Sequence, residues 1–546
     1  MREKILQLFQ TKESYSFEQI KQSLHCSSSK EFTELIQTLN LLEDQRVLYN
    51  DHQRYHRIEG HFFCGRIKSI TRSDIHLFNE ESTLSIPKPF HAIYFVGDEV
   101  LVSLKKNKII HTYKRNKTTI TGYMIRRRNR YVFHSNTDYH CSFFVKNQFT
   151  FPWKKNDVLL ARIVRYKDPV EIELIESIGK KDDIGMDITS LLYERNIRMD
   201  FNQRVKEQVK SIPVQVQKED RANRIDHRDL FTVTIDGEDA KDFDDAISVE
   251  KDKNGYILYV HIADVTHYVR ERSPLDKEAY LRSTSIYVCD RVVPMLPFAL
   301  SNGICSLNPN VDRCTITCKM YIDSKGKCTG YRIYPSLIHS DRRCTYTLVN
   351  QLYDHPELSH PYDSNREWFS LLRSCVSLLM KQSKNRGKID FESREPNMDV
   401  DANGKVRSVS IKDRGISQEM IEECMILANT CVAHELNQKK VPGMYRIHTK
   451  PDSQKMEDVY SLCTLFHVPP QQDMEKKPKQ IQRFLDSVQD PEIKTLLSSV
   501  LLQSMQKAQY KEQCLGHFGL NLEEYCHFTS PIRRYSDVVI HRMLKK

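Results

Sequence analysis

The sequence predicts a multidomain α+β protein: a short helical segment, a run of brief strands, and a large domain in which strands and helices mix. Three observations predict it. At 546 residues the chain is too long for one ordinary core, since a domain holds about 100–200 residues. The hydrophobic spacing changes twice along the chain, from helical to short strands to an alternation of both. Hydrophobic residues make up 39% and charged residues 28%, the balance of a water-soluble globular chain.

The helical segment comes first. Ile5, Leu6, Leu8 and Phe9 form one apolar stripe. Ser16 and Gln19 have the spacing of a capping box, ahead of a short second helix with Ile20 and Leu24. A third helix begins near Ser29 and places Phe32, Leu35, Ile36, Leu39 and Leu42 at helical spacing. Val47-Leu48-Tyr49 and His56-Arg57-Ile58 follow as two strands about a turn. Three helices and a β-wing over residues 1–58 describe a winged helix. Such a domain serves nucleic-acid contact or protein docking. Glu31 and Glu34 keep its third helix from being strongly basic, so both uses stay open.

Short strands follow to about Glu176, among them Phe62–Ile67, Glu99–Leu104 and Val158–Ile163. Gly97-Asp98 and Asn156-Asp157 supply turns before two of them. Two consecutive small β-barrels of OB or cold-shock type fit this stretch, over residues 59–115 and 116–176. Residues 177–228 read as a linker of mixed helical character. Residues 229–546 read as one large mixed α/β domain, with Tyr256–Ile262 a strand and Met420–Glu435 and Pro491–Gln509 helices.

Charge and cysteine usage narrow the function classes. The net charge of +10 leans only weakly towards a polyanionic partner. Its distribution says more: Lys105, Lys106, Lys108, Lys114, Arg115, Lys117, Arg126, Arg127, Arg128 and Arg130 fall between Leu101 and Arg130 with no Asp or Glu. Tyr113, Tyr123, Tyr131 and Phe133 lie close by, as on a phosphate-tracking surface with stacking platforms. A solvated face is the simpler alternative. The 15 cysteines are dispersed and form no Cys-x-x-Cys pair, which argues against structural zinc and for a reducing cytoplasm. No apolar run reaches the ~20 residues that span a bilayer, and Met1-Arg2-Glu3-Lys4 does not open a secretory signal.

The most informative stretch is Thr234–Ala246, with Asp236, Glu238, Asp239, Asp242, Asp244 and Asp245 on a loop between two strand-like runs. Carboxylates packed this densely repel one another unless a cation neutralises them. Hard oxygen ligands suit Mg²⁺ or Mn²⁺. An EF-hand does not fit, since counting from Asp236 the sixth position is Lys241 and the twelfth Ile247. Phosphodiester hydrolysis with two metals ~3.5–4 Å apart fits better. On charge alone a solvated acidic turn remains the alternative.

The loop resembles the catalytic motif of the ribonuclease II/ribonuclease R (RNB) family, and its Gly237-Glu238-Asp239-Ala240 stretch resembles the ribonuclease R branch. The resemblance continues in order through His261–Val265, Ser301–Pro309, Asp312-Arg313, Ile421–Asn429, Arg446-Ile447-His448, His517–Leu520 and His527–Tyr535, covering about Leu230–Lys546. It implies processive 3′-to-5′ hydrolysis of RNA to nucleoside 5′-monophosphates, in RNA decay and quality control. Asp236, Asp242, Asp244 and Asp245 would be the metal-site carboxylates, with Asp244 most critical for the chemistry. Arg533 would stabilise phosphate charge in the transition state. Tyr287 and Phe391 would stack the last bases, Tyr346 would set the cleavage register, and Glu423 would contact a terminal ribose.

The implied cofactor is Mg²⁺, with Mn²⁺ as the alternative. The implied partner is RNA with a single-stranded 3′ end, including structured RNA. The ribosome is a further candidate partner, no membrane is involved, and a monomer is expected. Two other readings stay open: a catalytically impaired RNA-binding protein on the same fold, or an enzyme of ribonuclease II behaviour that stalls at duplexes. Three departures from the family pattern stand out. Thr449 follows Arg446-Ile447-His448 where an acid is usual, and the barrels are divergent. The chain stops at Lys546, where family members complete the catalytic domain and add a C-terminal OB-type RNA-binding domain; weaker RNA binding than in a longer relative is the expectation.

Overall fold

The computed structural model describes residues 1–546 except 27, 52–53, 59–60, 80–81, 90–91, 129, 392–395, 402–405 and 412–414; for 29, 396, 397 and 400 it describes the backbone alone. The chain divides into two units, Met1–Met199 and Asp200–Lys546.

The first unit opens with α1 (Arg2–Thr11), β1 (Ser14–Tyr15), α2 (Phe17–Ser23), α3 (Ser29–Asp44), β2 (Leu48–Asn50) and β3 (Tyr55–Arg57). This is the predicted winged helix, with a small sheet ordered β1-β3-β2. The capping box is present: the Gln19 amide donates to Ser16 Oγ (3.3 Å) and the Ser16 amide to Gln19 Oε1 (3.0 Å). Ser28 and Glu31 form a second box before α3. Ile5, Phe9, Ile20, Leu35, Leu39, Leu42 and Leu48 make the core. Phe32 and Ile36, expected on the apolar face of α3, sit at its exposed rim.

Two five-stranded sheets follow. The first holds β4 (Phe62–Ile70), β5 (Asp74–Phe78), β6 (Thr83–Pro87), β7 (Glu99–Ser103) and β8 (Lys108–Lys114), ordered β6-β5-β4-β7-β8. The second holds β9 (Thr119–Arg127), β10 (Arg130–Ser135), β11 (Phe143–Val145), β12 (Asp157–Arg165) and β13 (Val170–Lys180), ordered β10-β9-β12-β13-β11, with β11 parallel to β13. Numbered within each sheet, the orders are 3-2-1-4-5 and 2-1-4-5-3. These are one cyclic order opened at different seams, that of the partly open five-stranded OB barrel. After β13, α4 (Met186–Glu194) packs on the second barrel. There the buried Glu194 accepts from Thr121 N (3.2 Å), Tyr139 Oη (2.6 Å) and Lys117 Nζ (3.0 Å).

The second unit begins with α5 (Gln203–Lys210), β14 (Ile225–Asp226), β15 (Val233–Asp236), β16 (Asp245–Asp252), β17 (Gly255–Ala263), α6 (Val265–Tyr268), α7 (Pro274–Arg282) and the hairpin β18 (Ile286–Tyr287)–β19 (Val292–Val293). Then come β20 (Asp312–Asp323), β21 (Cys328–His339), β22 (Arg342–Thr345), α8 (Tyr346–Asp354), α9 (Arg366–Arg386), β23 (Pro396–Val400), β24 (Val406–Ile411) and α10 (Ile416–Gln438). Its last elements are β25 (Tyr445–Ile447), α11 (Ser453–Leu465), α12 (Pro478–Ser487), α13 (Pro491–Ser504), β26 (Gln509–Lys511) and α14 (Tyr535–Lys545). A seven-stranded sheet, β14-β21-β20-β17-β16-β15-β22, is the frame.

Alternation along a strand sends neighbouring side chains to opposite faces. Ile247 and Val249 enter one core with Phe369, Leu372, Met420 and Cys424 from α9 and α10. Ala246 enters the other, with Phe243, Leu300, Ile304, Ile532 and Val538. The helix expected over Pro491–Gln509 ends at Ser504, because Met505 turns to extended backbone and Gln509 starts β26 against β25. Among the described residues, no helix is long and apolar enough to cross a membrane.

Candidate active site

β15 ends at Asp236 and β16 begins at Asp245, and the two strands pair antiparallel. The intervening loop therefore folds back and returns its last acids to the neighbourhood of its first. Four fixings hold it. Buried Phe243 anchors it in the second core. Ser306 Oγ accepts from the Phe243 amide (3.0 Å) and donates to the Lys241 carbonyl (2.7 Å). The Ala263 amide donates to the Asp244 carbonyl (2.9 Å) and the Leu307 amide to the Phe243 carbonyl (3.0 Å). The Arg343 guanidinium donates to the carbonyls of Gly237 (3.3 Å) and Glu238.

Asp236, Asp242, Asp244, Asp245, Tyr287 and Arg533 all line one cleft of about 900 Å³. Asp244 is only 4% exposed. Its Oδ1 accepts from the Ile532 amide (2.7 Å), and its Oδ2 lies 3.5 Å from Arg533 Nε with no hydrogen-bond partner. Burial holds the Asp244 carboxyl well above the carboxylate range, against the pull of Arg533. Burial, and then the charge of Asp236, push Asp245 up to about 7. Asp236 is raised too, first by burial and then by Asp242. Tyr287, 50% exposed on the β18–β19 hairpin, donates its hydroxyl to Asp242 Oδ2 (2.5 Å). Arg533 Nη2 donates to Ser530 Oγ (3.1 Å), and the Ser285 amide donates to the Arg533 carbonyl (3.0 Å).

The other candidates lie off the cleft lining. Tyr346, at the start of α8, stands close enough to the acids that burial and then the charges of Asp245 and Asp236 raise its phenol. Glu423 is buried on α10 and paired with Lys388 Nζ (2.9 Å), which also reaches Glu422 (2.7 Å). Phe391 packs against a helical core that includes Ile389, Met456 and Phe484. Asp239 of the acidic stretch also lines the cleft, as do Lys241, Ser285, Phe298, Ser301 and Asn302, to which the sequence assigns no role. Ser301, Asn302 and Ser306 fall in one of the blocks that carried the family resemblance; their roles depend on contacts across the fold that spacing does not reveal.

The basic run separates into two kinds of residue. Arg115 pairs with fully buried Asp98 (2.8 Å) and lies over Tyr166 (4.1 Å), and Lys117 pairs with Glu194 (3.0 Å); these cations hold the barrels together. Arg126, Arg127, Arg128 and Arg130 stand on the β9–β10 hairpin and make no ion pair among the described residues. Arg130 faces Arg127 across the strands, an arrangement of like charges that favours an anionic ligand. Exposed Tyr131 beside them packs edge-on against Trp153 (4.9 Å).

Among the described residues, no three Asp, Glu, His or Cys side chains close into a metal cage. The acids do fit an open divalent-cation site. Asp244 Oδ2 is a buried oxygen without a hydrogen-bond partner, and the burial and, after it, the mutual repulsion that raise Asp236 and Asp245 are what a cation offsets. Mg²⁺ keeps several waters and takes only one or two carboxylates from the protein, so a closed cage is not required.

The RNB domain model matches residues 224–546. Ribonuclease R of Thermotoga maritima is 40% identical over 399 residues, covering 72% of this chain and 56% of the relative. Ribonuclease R 1 of Lactococcus lactis is 33% identical over 579 residues, covering 98% of this chain and 70% of the relative. The chain thus spans little more than half of the first relative's length. Ribonuclease R of Mycoplasma genitalium, solved in complex with ribose-methylated single-stranded RNA, superposes with a TM-score of 0.81 at 26% identity, over 88% of this chain and 79% of that one.

Proposed function

Because this chain belongs to the RNB-domain family, we propose that it is a 3′-to-5′ exoribonuclease that hydrolyses RNA to nucleoside 5′-monophosphates. The observation that carries the reading is the convergence of Asp236, Asp242, Asp244, Asp245 and Arg533 on one cleft. Its members play different parts. Asp236, Asp242, Asp244 and Asp245 would share two Mg²⁺ or Mn²⁺ ions between them. The bound cation supplies Lewis-acid polarisation of the phosphate and a water of lowered pKa.

The chain's own residues do the rest. The Ile532 amide fixes Asp244 Oδ1, so that Oδ2 alone points at the reaction. Arg533 stays cationic, and its forked donors fit two phosphate oxygens, offsetting charge as the phosphorane-like transition state forms. Tyr287, steered by its bond to Asp242, offers a ring face to the base beside the scissile phosphate. Tyr346 stands behind the acids as a register element, and Glu423 with Phe391 would meet the terminal nucleotide. The free arginines of the β9–β10 hairpin suit incoming phosphates. We place the activity in the cytoplasm, carried out by a monomer on RNA decay substrates, structured RNA among them.

The test is a 5′-labelled single-stranded RNA incubated with Mg²⁺ and the wild-type chain or Asp244→Asn. Progressive shortening to a very short 5′ product, absent in the variant, is expected. Equal cleavage by both proteins would sink the assignment of the chemistry. A duplex with a 3′ overhang then separates passage through structure from arrest at its edge.

A further inference from the structure

We propose that Phe298 is a base-stacking residue of this cleft, working beside Tyr287. The proposal deepens the RNA-hydrolysis reading and rests on it. Phe298 lines the same cleft as the four aspartates and Arg533 and leaves 56% of its surface to solvent. Val292 and Pro294 line the cleft as well, so together with Tyr287 they give an otherwise acidic site an apolar part. One exposed aromatic needs no explanation. Two on one cleft, alongside the charged groups that would grip a phosphate, match a nucleotide, which has an anionic end and a flat apolar end.

The backbone under Phe298 is held firmly. The residue caps a wide helical turn, Ala299–Ile304, whose Leu300 and Ile304 are buried in the core. Buried Arg313 donates to the carbonyls of Ser306 (2.7 Å) and Gly303 (3.1 Å), and Asn308 donates to the Asn302 carbonyl (3.0 Å). The ring is thus presented on a rigid frame, as a binding residue should be. Stacking accepts every base, so this wall adds affinity without sequence preference. It also supplies the second aromatic of the acid cleft from the Ser301–Pro309 side, whereas Phe391 packs in the helical core.

The experiment uses the full chain with Asp244→Asn in every binding sample, so that RNA stays intact. Phe298→Ala, Phe298→Tyr and Phe298→Trp are compared on a short oligoadenylate and a short oligouridylate in Mg²⁺. Loss of one stacked base weakens binding by about tenfold, and Phe298→Ala should do so on both RNAs. Phe298→Tyr should restore the affinity, and the indole of Phe298→Trp should be quenched as RNA is added. In cleavage-competent protein, Phe298→Ala should raise KM with kcat little changed. Unchanged affinity in Phe298→Ala, or an indole signal indifferent to bound RNA, would overturn the proposal while leaving the nuclease reading intact. If the parent chain neither bound nor shortened RNA, both would fall.

Discussion

Asp244→Asn should stabilise the metal-free protein while abolishing its chemistry. The carboxylate is 4% exposed, has one amide hydrogen bond at 2.7 Å and one ion-pair contact at 3.5 Å, and leaves Oδ2 without a hydrogen-bond partner. Asp245 and Asp242 add repulsion. A buried acceptor without a partner costs about 1–3 kcal/mol, and more when charged, and the uncharged amide relieves that cost. The Ile532 and Arg533 contacts place this case near the low end, about 1–2 kcal/mol. At ~2–4 °C per kcal/mol for a large domain, Tm should rise by roughly 2–8 °C in a chelator. A divalent cation reverses the ranking. At a hundredfold excess over Kd, a ligand specific to the folded state adds about 2.7 kcal/mol, and the wild type should gain most of it while the variant gains little. Thermal melts of both proteins, with EDTA and with Mg²⁺, measure all four values. A variant that melts below the wild type in EDTA would refute the reasoning, as would equal Mg²⁺ shifts in the two proteins.

Three further outcomes are expected. Ser306→Ala removes the hydroxyl that bridges Phe243 N and Lys241 O, so unfolding in urea should show a loss of about 1–3 kcal/mol and steady-state assays a lower kcat; an unchanged kcat would mean that the loop needs no such tie. Arg224→Met leaves fully buried Asp264 with Lys545 and the Thr266 hydroxyl, both on Oδ1, and strips Oδ2 of its cation, so it should destabilise by about 3–5 kcal/mol in the same measurement; a neutral result would contradict the buried pair. Burial holds His261, His517 and His527 down to about 3, so they stay neutral in the fold but take protons once unfolded below ~6.5. Their contribution is therefore complete above that pH and declines as pH falls towards 3. Asp244 and Asp245, whose carboxyls are raised, act in the opposite sense, so the comparison is made in the Asp244→Asn, Asp245→Asn double variant: its metal-free Tm should be lower at pH 5 than at pH 7.5, and a higher one would reverse the sign.

Much of the fold was legible because the signals are local. Ser16 and Gln19 are three apart and form their box with no help from the rest of the chain. The acids of the 236–245 loop are adjacent in sequence, so their crowding could be read before their positions were known. What was not legible depends on partners far along the chain. Asp98 and Glu194 lie outside the basic run, so nothing within it marks Arg115 and Lys117 as internal cations rather than phosphate contacts. Ser306 reaches back to Phe243, and the Ile532 amide to Asp244, across separations that periodicity does not cover. Phe298 reads as a core residue by type, and only the turn beneath it leaves it exposed. The helix expected to run to Gln509 is cut short because β26 pairs with β25, a tertiary demand that overrides local propensity.

The proposed reading requires hydrolytic release of nucleotides from the 3′ end by the Asp236–Asp245 loop and Arg533. The most direct measurement is mass analysis of the products formed from single-stranded RNA in ¹⁸O-labelled water with Mg²⁺. Attack by water on the phosphorus with departure of the 3′-oxygen predicts nucleoside 5′-monophosphates, each released one carrying one ¹⁸O. Nucleoside 3′-monophosphates, 2′,3′-cyclic phosphates or unlabelled 5′-phosphates would contradict the account.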